Sequence, residues 1–170
     1  SQQMDRKAIE RLVIELAARW IGQSTATDAL VKHACRTLLK RGDQRVLRLF
    51  GHHDDVPVTV KLTLASNTVA IGERLGFDCI VRAEAGTCAR IEYVIDFVTK
   101  TGGVSRKVFK IGERQLTADV PLRLQRQHRF TDFTRRKHYS GGHRIGIVVN
   151  GVQRAQRRFA VVAAHEGAQQ

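Results

Sequence analysis

The sequence has little that would tie it together covalently or place it in a bilayer. Its three cysteines, Cys35, Cys79 and Cys88, stand without CxxC or Cys/His spacing. An odd number of thiols so arranged argues against a disulfide framework and for a reducing, cytoplasmic compartment. No apolar run approaches the ~20 residues that a membrane helix needs. The first residues, SQQMDRKAIE, lack the apolar centre of a secretion signal and read as the start of a piece of a longer chain. Catalytic patterns are missing too. No nucleophile–base pair, metal-ligand spacing or phosphate-cradling glycine motif is present, so an enzyme complete within these residues is disfavoured.

Negative charge is also scarce. Lysine and arginine number 29 against 16 aspartate and glutamate, a net of +13. The excess is uneven. Residues 1–55 hold 10 basic and 7 acidic side chains, whereas residues 101–163 hold 14 basic and 3 acidic. Concentrated positive charge draws polyanions by steering and counterion release. Nucleic acid is the leading candidate partner; an acidic membrane surface or acidic protein are the alternatives.

Two periodicities divide the chain. Ile9, Leu12, Val13, Leu16, Ala17 and Trp20 recur at helical spacing, with Asp5 expected as N-cap and Gly22 as stop. A second helix is expected from Thr27 to about Arg41, and a short third from Asp43 to Gly51. In the second, Lys32, Arg36 and Lys40 share one face, while Leu30, Val31, Ala34, Cys35, Leu38 and Leu39 take the other. Such a cationic row can track phosphates, although it is also what the solvated side of an amphipathic helix looks like. His52-His53-Asp54-Asp55 followed by Val56-Pro57 reads as a linker. From Val58 the period is two, and strands are expected near 58–64, 68–72, 76–84, 89–99, 105–111, 120–127, 143–150 and 152–162. Asn150-Gly151 between two alternating runs asks for a type I′ hairpin.

The expected architecture is mainly β. Residues 1–55 form a helical segment of two or three short α-helices, residues 56–164 an immunoglobulin-like antiparallel β-sandwich, and residues 165–170 a frayed tail. The most basic stretch, Gln125 to Gly151, carries Arg126, Arg129, Arg135, Arg136, Lys137 and Arg144 among His128, His138 and His143. Phe130, Phe133 and Tyr139 are interleaved with them, and Asp132 interrupts the run. Guanidinium groups bind phosphate oxygens in pairs, and aromatic rings order such a loop or stack on bases. A solvated loop with aromatics beneath it fits the same stretch.

The helix KHACRTLLK, the linker, and the sandwich ending in HRFTDFTRRKHYSGGHR resemble the C-terminal part of AlkC-type DNA glycosylases. The resemblance spans nearly all of the chain. It implies the terminal unit of a HEAT-like helical array followed by an immunoglobulin-like domain. It also implies a role in removing alkylated bases of the 3-methyladenine type from double-stranded DNA. The family's catalytic carboxylate belongs to earlier repeats, so no catalytic residue is assigned here and the chain alone is expected to be inactive. Arg129, Arg135, Arg136, Lys137, His138 and Arg144 would meet the DNA backbone, with Lys32, Arg36 and Lys40 facing it from the helices. His128 and His143 are open between phosphate contacts and packing against aromatic rings. Gly141-Gly142 would let the backbone approach closely. No metal or cofactor is implied. The partner is alkylated duplex DNA, the expected state a monomer, and the location the bacterial cytoplasm at the nucleoid. The rival reading is an immunoglobulin-like protein-interaction module with a basic surface.

Overall fold

The computed structural model describes residues 2–131 and 141–163, with side chains from Asp5 onward. The chain divides into two compact units, Ser1–Asp55 and Val56–Gln170.

The first unit holds four helices: α1 (Gln2–Trp20), α2 (Thr25–Ala34), α3 (Arg36–Lys40) and α4 (Gln44–Leu49). Gly22 and Gly42 take positive φ, 86° and 70°, and end α1 and α3 where a side chain at Cβ would be strained. Asp43 caps α4, its carboxylate accepting the Arg45 N–H at 3.0 Å. The Arg45 guanidinium closes on the same carboxylate at 2.8 Å and holds it below the usual aspartate range.

Three boundary expectations need correction. Helix α1 already runs from Gln2, so Asp5 lies in its first turn rather than at the cap. Ser24, not Thr27, caps α2: its hydroxyl accepts the Thr27 N–H at 3.1 Å. The helix expected through Arg41 breaks at Cys35, whose φ −86° and ψ 2° leave the helical region and start α3 on a new course.

Ala17, Val31, Cys35, Leu38, Leu39, Val46 and Leu47 form the core of this unit. The stripe expected to be buried on α1 is largely outside. Ile9, Leu12, Leu16 and Trp20 are 45–62% exposed, and Leu30 of α2 is 69% exposed. Leu16, Trp20, Leu30 and Val31 line an open apolar groove of about 380 Å³. A four-helix unit this small covers one side of α1 and leaves the other without a neighbour within the unit.

The second unit is an immunoglobulin-like sandwich with eight strands among the described residues: β1 (Val58–Leu64), β2 (Thr68–Ala70), β3 (Arg74–Ala83), β4 (Thr87–Val98), β5 (Val104–Leu116), β6 (Leu122–Arg129), β7 (Gly141–Val149) and β8 (Val152–Val162). One sheet runs β1-β3-β6 and the other β2-β8-β7-β4-β5. Every pairing is antiparallel except β2 with β8, which departs from the fully antiparallel expectation. Strand β2 belongs to the loop that joins β1 to β3, and it reaches the edge of the larger sheet running alongside β8.

Alternation builds the core. Leu62, Phe77, Cys79 and Val81 from the smaller sheet meet Ile91, Ile95, Ile145, Ile147 and Phe159 from the larger. Each buried isoleucine contributes on the order of 1.5–3 kcal/mol relative to exposure. Asn150-Gly151 forms the two-residue turn between β7 and β8, at φ 49° and 77°, as a type I′ turn requires. The Asn150 side chain is itself buried. Its Oδ1 accepts the Arg90 N–H at 2.8 Å and its Nδ2 donates to the Cys88 carbonyl at 3.3 Å, fixing the hairpin to the start of β4.

Candidate nucleic-acid interface

Period-two alternation decides where each cation of the sandwich points. On β6 and at the residue after it, Leu124, His128 and Phe130 turn inward or toward the core, while Arg123, Gln125, Gln127 and Arg129 are exposed on the outer face. On β7, His143, Ile145 and Ile147 are buried and Arg144 is exposed between them. Arg129 and Arg144 therefore lie on the outer faces of different sheets. Each neighbours a core residue, Phe130 or His143, and alternation sends it away from the shared core. The segment between them, holding Asp132, Phe133, Arg135, Arg136, Lys137, His138 and Tyr139, lies outside the described residues, as does the tail at 165–170.

Arg144 sits between Arg158 of β8 and Asp96 of β4 in the cross-strand register. Asp96 in turn accepts two bonds from Arg106, at 2.7 and 3.0 Å. These bonds hold the Asp96 carboxyl below its usual range, and Arg144 adds a smaller pull in the same direction. The row reads Arg158, Arg144, Asp96, Arg106 across four strands, three cations about one acid.

The two described histidines of the basic stretch belong to the interior. His143 is 1% exposed. Its Nε2 accepts the Val98 N–H at 3.4 Å and its Nδ1 donates to the Gly141 carbonyl at 3.1 Å, an assignment that makes the ring neutral and protonated at Nδ1. His128 Nδ1 lies 3.0 Å from the Tyr93 hydroxyl, and its ring packs on Phe109 and Phe130 with centroids 4.7 and 5.0 Å away. Both are packing residues, so the phosphate-contact alternative for them is withdrawn. Phe130 is fully buried in the same aromatic group, against Phe97 and Phe159. Of the two glycines opening β7, Gly141 has φ 144°, while at Gly142 an added Cβ would meet nothing within 4 Å.

In the helical unit Lys32, Arg36 and Lys40 are all exposed. The break at Cys35 divides them between α2 and α3, so they are not a regular row on one helix. Arg36 turns back onto α2, its Nη1 2.8 Å from His33 Nε2 and 3.3 Å from the His33 carbonyl.

Sequence reasoning missed one cationic surface. The outer face of the β1-β3-β6 sheet collects Lys61, Arg74, Arg82, Arg123 and Arg129, all exposed, from three strands. Arg74 and Arg129 are direct cross-strand partners, and Lys61 and Arg123 flank Ile80 in another row. Asp78 is the acid at the outward positions of the three strands, and Arg82 also meets Asp119 at 3.4 Å from the loop before β6. Between the two cationic ends lies an open depression of about 550 Å³, lined by Ala65, Gly76, Phe77, Asp78, Gln125, Arg126 and Gln127. The alternating Arg-x-Gln-x-Gln-x-Arg of residues 123–129 was the available signal, but only the register shows which cations join it.

Several acids are held by arginine. Glu92 meets Arg90 at 3.4 Å, Asp54 accepts from Arg48 at 2.9 Å, and Glu10 accepts from Arg41 at 2.7 Å. Among the described residues no three His, Cys, Asp or Glu side chains gather as metal ligands, and no helix is long and apolar enough to cross a membrane.

Comparison with known proteins places this architecture. The "Uncharacterized protein YhaZ" of Bacillus subtilis (strain 168) is 36% identical over 156 residues, 91% of this chain and 44% of that protein. The Pseudomonas fluorescens alkylpurine DNA glycosylase AlkC, solved bound to DNA containing an abasic site analog, is 30% identical with a TM-score of 0.81, again over 91% of this chain and 44% of that one. The chain thus spans less than half the length of either. A β-glucosidase from Listeria innocua matches 65% of the chain at 13% identity and a TM-score of 0.53, which is a likeness of fold alone. The family model described as "Uncharacterised protein YhaZ, C-terminal Ig-like domain" matches residues 58–163, and the chain belongs to that family.

Proposed function

We propose that this chain is the DNA-binding C-terminal region of a DNA glycosylase for alkylated bases of the 3-methyladenine type, and that it grips the duplex backbone. The observation that carries this reading is the likeness to AlkC, a DNA glycosylase solved with DNA, over 91% of the chain. The positive charge supports it: a net of +13 is suited to a polyanion. Arg129, Arg135, Arg136, Lys137, His138 and Arg144 are the proposed backbone contacts of the sandwich, and Lys32, Arg36 and Lys40 those of the helices. The helical unit is read as the terminal repeat of a HEAT-like array, because the exposed apolar side of α1 is what a preceding repeat would cover. Hydrolysis of the glycosidic bond is assigned to residues outside this chain; within it, Asp43, Asp54, Glu92 and Asp96 are engaged by arginine.

The test is fluorescence anisotropy with a duplex carrying an abasic-site analogue, between about 50 and 200 mM salt. Log affinity should fall with log salt by about 0.9 per phosphate contact. Arg135→Ala/Arg136→Ala should flatten that slope by about 2. The chain alone should release no base from methylated DNA. Absence of salt-dependent binding would sink the reading. Stoichiometric capture of one protein in its place would favour an interaction module, for which the apolar groove on α1 and α2 is the specific support.

A further inference from the structure

We propose that the outer face of the β1-β3-β6 sheet is a second duplex-DNA surface, with Arg74 and Arg129 at one end and Lys61 and Arg123 at the other holding phosphates on either side of a groove. It rests on the DNA-binding reading above and shares Arg129 with it, but adds Lys61, Arg74 and Arg123, which that reading did not assign.

Like charges placed directly opposite each other on a sheet repel. Arg74 and Arg129 are such a pair. Among the described residues no ion pair relieves either of them, or Lys61 or Arg123. An arrangement of this kind is stabilised when an anion bridges the cations, and guanidinium forks suit phosphate oxygens. A bound backbone would supply that anion at both ends of the face.

The spacing fits a duplex. Arg123 and Arg129 are six residues apart on one extended strand, so about 20 Å at ~3.3 Å per residue. That is about six steps of duplex at ~3.4 Å each, enough to reach from one backbone across a groove to the other. Between them the surface falls away rather than rising. Gly76 has no side chain, Ala65 lies beside it, and the depression of about 550 Å³ is lined further by Phe77, Asp78, Gln125, Arg126 and Gln127. Asp78, Gln125 and Gln127 carry carboxylate and amide groups, which hydrogen-bond base edges in a groove, and Asp78 lies between the two cationic ends rather than at either. The outward positions of the three strands carry no aromatic ring. A single strand held by base stacking would need one. The face is built for a backbone-lined groove.

The test compares salt slopes of duplex binding for the unmodified chain, Lys61→Gln/Arg74→Gln/Arg123→Gln, and the charge-matched control Lys100→Gln/Lys107→Gln/Lys110→Gln. All six positions are exposed, and the three single sheet-face variants guard against a folding artefact in the triple. The sheet-face triple should flatten the slope by about 3 and weaken binding on the order of 10–100-fold at 100 mM salt; each single should flatten it by about 1. The control should leave the slope unchanged. A sheet-face triple indistinguishable from the unmodified chain, or from the control, overturns this proposal while the DNA-binding reading stands on its own slope. A single strand that competes better than the duplex also overturns it. If the unmodified chain binds no DNA, both fall together.

Discussion

Replacing Asn150 tests how the sandwich holds its sheet edge and turn together. Three effects add in Asn150→Ala. The residue sits at φ 49°, where alanine costs about 1 kcal/mol more than asparagine. The Arg90 N–H, now bonded at 2.8 Å in a buried position, loses its acceptor, at about 1–3 kcal/mol. The bond to the Cys88 carbonyl at 3.3 Å is lost as well, for about 0.5–1.5 kcal/mol. The expected loss is about 2.5–5.5 kcal/mol, a fall of about 1 M or more in the urea midpoint for a slope near 1–2 kcal/mol/M. Asn150→Asp separates the contributions. It keeps the turn and the acceptor but places a carboxyl where the asparagine is 1% exposed. Burial raises that carboxyl's folded pKa above its unfolded value near ~3.9. Its penalty is therefore small below about pH 4 and grows as pH rises through the raised folded value. Urea titrations at several pH values read both variants. An unfolding free energy for Asn150→Ala within about 0.5 kcal/mol of the unmodified chain would refute the argument, because surface substitutions typically do no more.

Two further outcomes follow from groups whose titration the packing shifts. Asp96 is held below its ordinary pKa by Arg106, so it contributes stability above about pH 4 that is lost as pH falls through the lowered folded value. Asp96→Asn should flatten the acid limb of a stability–pH curve, and an unaltered limb would show the pair to be inert. Burial pushes the Cys79 thiol up to about 11. Brief iodoacetamide labelling at about pH 8, followed by mass spectrometry of peptides, should leave Cys79 unmodified while half-buried Cys88 reacts. Equal labelling of the two in folded protein would contradict the packing.

What the sequence made legible was whatever depends on neighbours along the chain. Asn150-Gly151 announces its own turn, and Ile91, Tyr93, Ile95 and Phe97 announce a strand face, because both patterns are local. All eight strands lie close to where alternation puts them. The helices were less legible at Ile9, Leu12, Leu16 and Trp20: their spacing asks for a buried stripe, but burial depends on a neighbour, and spacing does not say whether one is present. The charge was hardest to place. Residues 56–100 hold as many acids as bases, so counting by segment shows nothing there. Yet alternation sends Lys61, Arg74 and Arg82 to one outer face, while Glu92 and Asp96 fall on β4 in the other sheet. A neutral stretch of sequence thus supplies three of the five cations of the β1-β3-β6 face, and β6 supplies the other two. The same physics divides Arg129 from Arg144, which are close in sequence. Electrostatic surfaces of sandwiches are set by register, and two cations share a face only if the pairing of distant strands makes them neighbours.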